Sequence, residues 1–115
     1  MRSEKSCGAI VFKFEKGKPI YLLLFGPTYW GFVKGLVEKG ESEAETALRE
    51  AEEETGMKIK LLPGFKERIN YTYKCDGELI KKEVVFFAAE APKQDVKLSS
   101  EHEDFKWLEF DEAFK

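Results

Sequence analysis

Seven glutamates fall between Glu41 and Glu54, in the stretch GLVEKGESEAETALREAEEETGM, and a single basic residue, Arg49, interrupts them. Like charges at i,i+4 spacing on a helix repel. Such a segment needs water to dilute the charge or a cation to sit on it. Lysines alternating with glutamates would mark a merely solvated face, and no lysine lies between Glu41 and Glu54. Glu50, Glu53 and Glu54 stand at i, i+3 and i+4, so three carboxylates project from one patch of helix surface. Hard divalent cations take oxygen ligands, and magnesium is held by a few carboxylates together with substrate phosphates and waters. The segment reads as a metal-binding helix. Arg49, one turn before Glu53, can orient carboxylates through a two-pronged contact.

The local signals say where this helix begins and ends. Ser42 is the cap of a helix starting near Glu43, with Glu45 as its capping-box partner. Thr55 is the expected last residue and Gly56 the stop. Ala44, Ala47, Leu48 and Ala51 form a narrow apolar stripe of mostly small residues, suited to close packing on a sheet.

Strands and turns alternate around the helix. Residues 7–14 and 20–25 read as strands separated by a turn at Gly17 and Pro19, and Gly26-Pro27 ends the second. Residues 30–37 mix aromatics with glycines and lead into the helix. Residues 58–62 read as a short strand stopped by Pro63-Gly64, and residues 65–74 as another. Asp76-Gly77 is a hairpin turn before a strong strand at 79–90. A last strand spans 105–110, and a helix opens at Asp111; five residues are too few for a stable isolated helix, so it is expected to be shortened. This order predicts an α+β fold, a mixed sheet flanked by two helices.

Composition sets the outer bounds. With 115 residues the chain is expected to be one domain, residues 1–115, with one core. A formal charge of −3 argues against a general binder of nucleic acid or membrane surface. No apolar run approaches ~20 residues, and MRSEKSCG lacks a secretory apolar region. Cys7 and Cys75 show no metal or redox spacing and read as buried thiols in a reducing compartment, so a cytoplasmic location is expected. One Asn and one Gln against many Lys and Glu is a bias seen in hyperthermophile proteins.

Gly35, Glu41, Arg49, Glu50, Ala51, Glu53, Glu54, Gly56 and Met57 match the Nudix signature at each of its fixed positions, and the chain resembles the Nudix hydrolase superfamily. The resemblance implies an α/β/α sandwich with a mixed sheet and a catalytic helix after the loop from Gly35 to Glu41. It implies metal-dependent attack of water on a phosphorus of a polyphosphate chain. Magnesium, or manganese in its place, would be held by Glu50, Glu53, Glu54, the main-chain carbonyl of Lys34, and Glu101 from a distant loop. Glu53 is the implied base, assisted by Arg49, and Glu41 supports the loop.

Outside the signature, residues 30–35 (WGFVKG), 65–71 (FKERINY), 98–103 (LSSEHE) and 105–108 (FKWL) are similar to stretches of the asymmetric dinucleoside tetraphosphate hydrolases. Val33 stands where that group has proline before Lys-Gly. This narrower resemblance implies cleavage of diadenosine tetraphosphate to ATP and AMP. Lys34 would touch phosphate, and Tyr71 and Phe86, rather than Phe87, would stack on adenine. His102 reads either as a surface residue or as a phosphate or leaving-group contact, and Trp107 as core. The alternatives are an RNA 5′-pyrophosphohydrolase or an inositol diphosphate hydrolase, for which Lys81-Lys82 and Lys58 with Lys60 are modest basic candidates. A third is a non-catalytic nucleotide-binding module, which would typically have lost carboxylates from the signature.

Overall fold

The computed structural model describes residues 2–26, 29–93, 95–100 and 102–113. Its spine is β1 (Arg2–Glu15), whose Cys7, Ala9 and Val11 are wholly buried on one face. One edge of β1 pairs in parallel with β6 (Glu78–Glu90), from Arg2↔Ile80 to Phe12↔Glu90. The other edge is shared by two antiparallel partners. β4 (Val33–Leu36) takes Ser6 to Ala9, and β2 (Lys18–Phe25) takes Phe12 to Glu15. β5 (Lys60–Cys75) lies outside β6, while β3 (Trp30–Gly31) and β7 (Asp104–Leu108) pair with β2. The result among the described residues is a seven-stranded mixed sheet. Two helices accompany it, α1 (Glu43–Thr55) and the short α2 (Phe110–Ala113).

α1 forms where the sequence places it. The Ser42 hydroxyl accepts from Glu45 N at 3.1 Å, and the Glu45 carboxylate accepts from Ser42 N at 2.8 Å. Gly56 closes the helix, donating to Glu52 O at 2.8 Å. The buried face differs from the expected stripe. Ala47, Ala51, Glu54 and Thr55 are buried, with Thr46, whereas Leu48 is 38 % exposed. Residues 47, 51 and 54–55 share one side of a 3.6-residue helix, and Leu48 lies about 100° round from Ala47. The two alanines bring α1 close to the face carrying Ala9, Val11, Leu22, Leu24 and Val33, and Met57, Ile59 and Ala89 complete that core. Trp107 is half-buried against its margin.

Other boundaries also move. The strands expected at 58–62 and 65–74 are one strand, β5, because Pro63-Gly64 falls in an irregularity between Leu61 and Lys66 rather than at an end. An outer strand tolerates proline, since its free edge loses no ladder bond. β1 starts well before Cys7, since β6 offers it a partner as far back as Ile80. Residues 30–37 resolve into β3 and β4, and α2 starts at Phe110 rather than Asp111. Cys7 is buried, but Cys75, beside the hairpin turn, is exposed and not buried as expected.

The first turn of α1 is tied to β1 and β5 by charge. Glu43 accepts from Lys5 at 2.6 Å and Lys66 at 2.7 Å, with Arg68 at 3.3 Å. Glu83 shares two of these cations, Arg68 at 2.7 Å and Lys5 at 3.5 Å. The hydrogen bond from Lys5, then that from Lys66, holds the Glu43 carboxyl down to about 2 against an ordinary value of 4.5. A depressed folded-state pKa means that the unfolded chain takes up the proton first. The Glu43 contribution is therefore complete above about pH 4.5 and fades as pH falls toward 2. Urea unfolding across that window should show stability declining with acid, and Glu43→Gln should flatten the decline. An unchanged acid profile in the variant would mean that this cluster does not couple to folding.

Candidate active site

The site starts from a close backbone approach. A Cβ on Gly8 of β1 would collide with the Val33 carbonyl and with Lys34, so glycine there lets β4 lie against β1. Strand alternation then turns Val33 and Gly35 toward α1 and Lys34 toward the opposite face. A Cβ on Gly35 would fall on the Glu50 carboxylate. The bare backbone of Gly35 is the gap in which that carboxylate sits.

Arg49 gathers the surrounding acids. Its Nε and Nη2 reach the two oxygens of Glu41 at 2.6 and 3.0 Å. Nη1 donates to Glu50 at 2.9 Å and Glu53 at 3.1 Å, and lies 3.3 Å from Glu38. Nη2 also donates to the Leu36 carbonyl at 3.0 Å, tying helix to loop. Glu41 is further fixed by the Thr46 hydroxyl at 2.8 Å and by Glu38 N at 3.0 Å. These bonds, Arg49 first, hold its carboxyl down to about 2. The same partners raise Arg49 above its ordinary range, so it stays charged.

Glu54 points elsewhere. It is buried where α1 meets the segment before β7, and its Oε1 lies 3.5 Å from His102 Nε2. The other ring nitrogen of His102 is 3.4 Å from Ser99 Oγ. Lys97 N and Ser99 N donate to the carbonyls of Thr55 and Glu54 at 2.7 and 3.2 Å, occupying acceptors that a helix end leaves open.

Lys34, Gly35, Glu38, Glu50, Glu54 and His102 line a cleft of about 570 Å³. The three signature carboxylates leave one helix turn but diverge. Glu50 lies in the Gly35 gap, Glu53 is 57 % exposed beside Arg49, and Glu54 is buried near His102. Among the described residues no three acidic, histidine or cysteine side chains converge at metal-binding distance; Glu101 lies outside the described residues. The donor chemistry suits a hard divalent cation nonetheless, since the three carboxylates offer only oxygen. Arg49 serves as the counter-charge for Glu50 and Glu53.

On the opposite face Tyr29, Lys34, Tyr71, Tyr73 and Lys82 line a second cleft of about 420 Å³. Lys34 thus borders both clefts. Its half-burial lowers its pKa, and Glu54 opposes that shift. Tyr71 is 43 % exposed, with its ring centre 6.2 Å from that of Tyr73. Phe86 shares this face, being paired with Gly8 as Lys34 is, but its ring packs edge-on against Phe32 at 5.9 Å. Phe87 lies on the α1 face near Lys66.

His102 faces Glu54 instead of standing on the open surface. Sequence reasoning missed Tyr29, Tyr73, Thr46 and Ser99, and read Lys82 only as part of a basic pair. The two-residue period from Tyr71 was a usable signal for Tyr73. Tyr29, in the connection before β3, had none.

The NUDIX domain family model matches residues 5–115. The asymmetrical bis(5′-nucleosyl)-tetraphosphatase of Rattus norvegicus is 37 % identical over 123 residues, covering 95 % of this chain and 81 % of the relative. The enzyme of the same description from Caenorhabditis elegans is 32 % identical over 115 residues, covering 96 % and 83 %. Among solved structures, a binary complex of C. elegans Ap4A hydrolase superposes with a TM-score of 0.84 at 30 % identity, covering 96 % of this chain and 82 % of that one.

Gly35→Ala should displace the Glu50 carboxylate while leaving α1 intact. Binding of magnesium to the variant, read as the rise in melting temperature on adding the ion, should weaken by about tenfold, with an unchanged far-ultraviolet dichroism spectrum. Wild-type magnesium affinity in the variant would show that the Gly35 gap is not needed.

Proposed function

Because the chain belongs to the NUDIX domain family of pyrophosphohydrolases, we propose that it hydrolyses dinucleoside polyphosphates, cutting diadenosine tetraphosphate off-centre to ATP and AMP. The observation that carries this reading is Lys34, which borders the carboxylate cleft on one side of β4 and the tyrosine cleft on the other. A substrate with an aromatic base at one end and a polyphosphate running from it matches that pair of clefts.

Nudix hydrolases generally use divalent cations. In this reading Glu50, Glu53, Glu54 and the Lys34 carbonyl hold magnesium, or manganese in its place. Such a cation neutralises phosphate charge and acidifies a bound water. Glu53, the most exposed of the three carboxylates, takes the proton from the attacking water. Arg49, in contact with Glu50 and Glu53, orients both. The Lys34 ammonium meets phosphate oxygens as a point charge. Tyr71 offers its face to one adenine, and Phe86 backs the same side of the sheet. His102, at Glu54, steadies that carboxylate in preference to contacting the leaving group.

An anchored base makes the cut off-centre. With one adenine stacked and a fixed run of phosphates gripped, water meets the same phosphorus counted from the anchored end. That phosphorus is not the midpoint in the asymmetrical enzymes this chain is similar to. No helix among the described residues is long and apolar enough to cross a membrane. The same proposal treats residues 1–115 as a single domain working in the cytoplasm.

Incubation with diadenosine tetraphosphate and magnesium should yield equal ATP and AMP on ion-exchange chromatography, and a chelator should stop the reaction. ADP as sole product would reject the off-centre cut, and turnover of triphosphorylated RNA with the dinucleotide untouched would pass the assignment to RNA pyrophosphohydrolysis. Glu53→Gln and Glu54→Gln should each lower kcat by orders of magnitude, because each removes a charge that holds metal or accepts the proton. Full turnover in both variants would overturn their roles. Tyr71→Ala should raise KM roughly tenfold to a hundredfold with a smaller change in kcat, since stacking on a base is remote from the reacting centre.

A further inference from the structure

Residues near the start of β1 hold two of the side chains that line the tyrosine cleft. Glu4 and Ser6 alternate onto the same face as Lys34, with Glu4 in register with Lys82 and Lys82 with Tyr71. The Tyr73 hydroxyl donates to Glu4 Oε1 at 2.6 Å. Lys82 Nζ donates to Ser6 Oγ at 2.7 Å and lies 3.5 Å from the same Glu4 oxygen. Arg2 approaches the other Glu4 oxygen from the rim at 3.8 Å. The Lys82 side chain is only 10 % exposed. A mostly buried ammonium is tolerated when a counter-charge and acceptors surround it. Lys82 has three N–H donors. Among the described residues Ser6 and Glu4 engage two, which leaves the third for an oxygen in the cleft that Lys82 lines.

The Tyr73 hydroxyl is committed to Glu4, so the tyrosine offers the cleft its ring. That ring lies beside the ring of Tyr71, and a tethered phenol cannot swing away from it. One carboxylate therefore controls an aromatic surface and a cation at once. The two are the groups that a nucleoside phosphate needs side by side: a face for the base and a charge for the phosphate.

We propose that Glu4 is a positioning residue for nucleotide binding, holding the Tyr73 ring and the Lys82 ammonium in the geometry that receives a base and its adjoining phosphate. It acts through those two side chains and touches neither substrate nor metal. The inference rests on the reading of the tyrosine cleft as the nucleotide site, and it does not depend on which bond is cut.

Equilibrium binding of ATP, measured by calorimetry on the full chain, tests it. Glu4→Ala and Tyr73→Phe should each weaken ATP by about fivefold to tenfold, within the range of a typical intramolecular hydrogen bond. The double variant should bind no worse than Glu4→Ala alone, because both changes break one tether. Glu4→Gln, which keeps an acceptor for the phenol, should recover most of the affinity. In turnover the same variants should raise KM and leave kcat near wild type. Losses that add in the double variant, or single variants with unchanged affinity, would overturn the role of Glu4. Wild-type protein that binds no ATP would overturn it together with the cleft reading. Coupled losses in ATP affinity in a protein that leaves diadenosine tetraphosphate intact would sustain Glu4 and reject only the proposed substrate.

Discussion

Crowded negative charge is the constraint on which the rest of this structure depends. The loop and helix from Glu38 to Glu54 place carboxylates closer together than an isolated helix would accept. One guanidinium resolves most of that conflict. Arg49 reaches Glu38, Glu41, Glu50 and Glu53, and it also binds the Leu36 carbonyl. Because its planar fork binds two oxygens of Glu41 at once, it fixes direction as well as charge. The loop after β4 and the middle of α1 are thus held as one unit. The acids that could hold a cation are presented by a helix on which one guanidinium offsets part of the negative charge.

The second organising feature is the alternation of a four-residue strand. β4 carries Lys34 and Gly35 side by side, and the pleat sends them to opposite faces. Gly35 leaves room for Glu50 on the helix side, and Lys34 reaches the tyrosines on the other. The two clefts are therefore adjoining sides of one strand, with no linker between them. Gly8 is the condition for this arrangement, since any side chain there would lift β4 off β1.

Both ends of the helix are anchored, the first by ion pairs and the last by main-chain hydrogen bonds. At its start, Glu43 is gripped from β1 and β5. At its end, the carbonyls of Glu54 and Thr55 accept from the segment that carries Ser99 and His102. A helix fixed at both ends on a sheet is a rigid platform, and rigid elements hold functional groups more accurately than loops do.

The amino-acid order alone determined the features whose causes act within one turn or one hairpin. These include the helix from Glu43 to Thr55, its Ser42–Glu45 cap, its Gly56 stop, the turn at Asp76-Gly77 and the cluster of acids around Arg49. Capping bonds, like-charge repulsion and turn preferences reach only a few residues, so the chain displays them directly. Other features depended on partners distant in sequence. Whether Pro63-Gly64 ended a strand or bent one depended on β5 lying at the sheet edge. Whether Leu48 was core depended on which side of α1 met β1. The divergence of Glu50, Glu53 and Glu54 depended on the Gly35 gap, Arg49 and the approach of His102. Tyr29, Tyr73 and Lys82 became neighbours of Lys34 and Tyr71 only once β1, β4, β5 and β6 were in register. Glu4 and Tyr73, 69 positions apart, share a hydrogen bond that no local pattern announces. A strand pattern tells which side chains share a face, but the facing partner is chosen by the pairing that buries the core best, and that choice belongs to the whole chain.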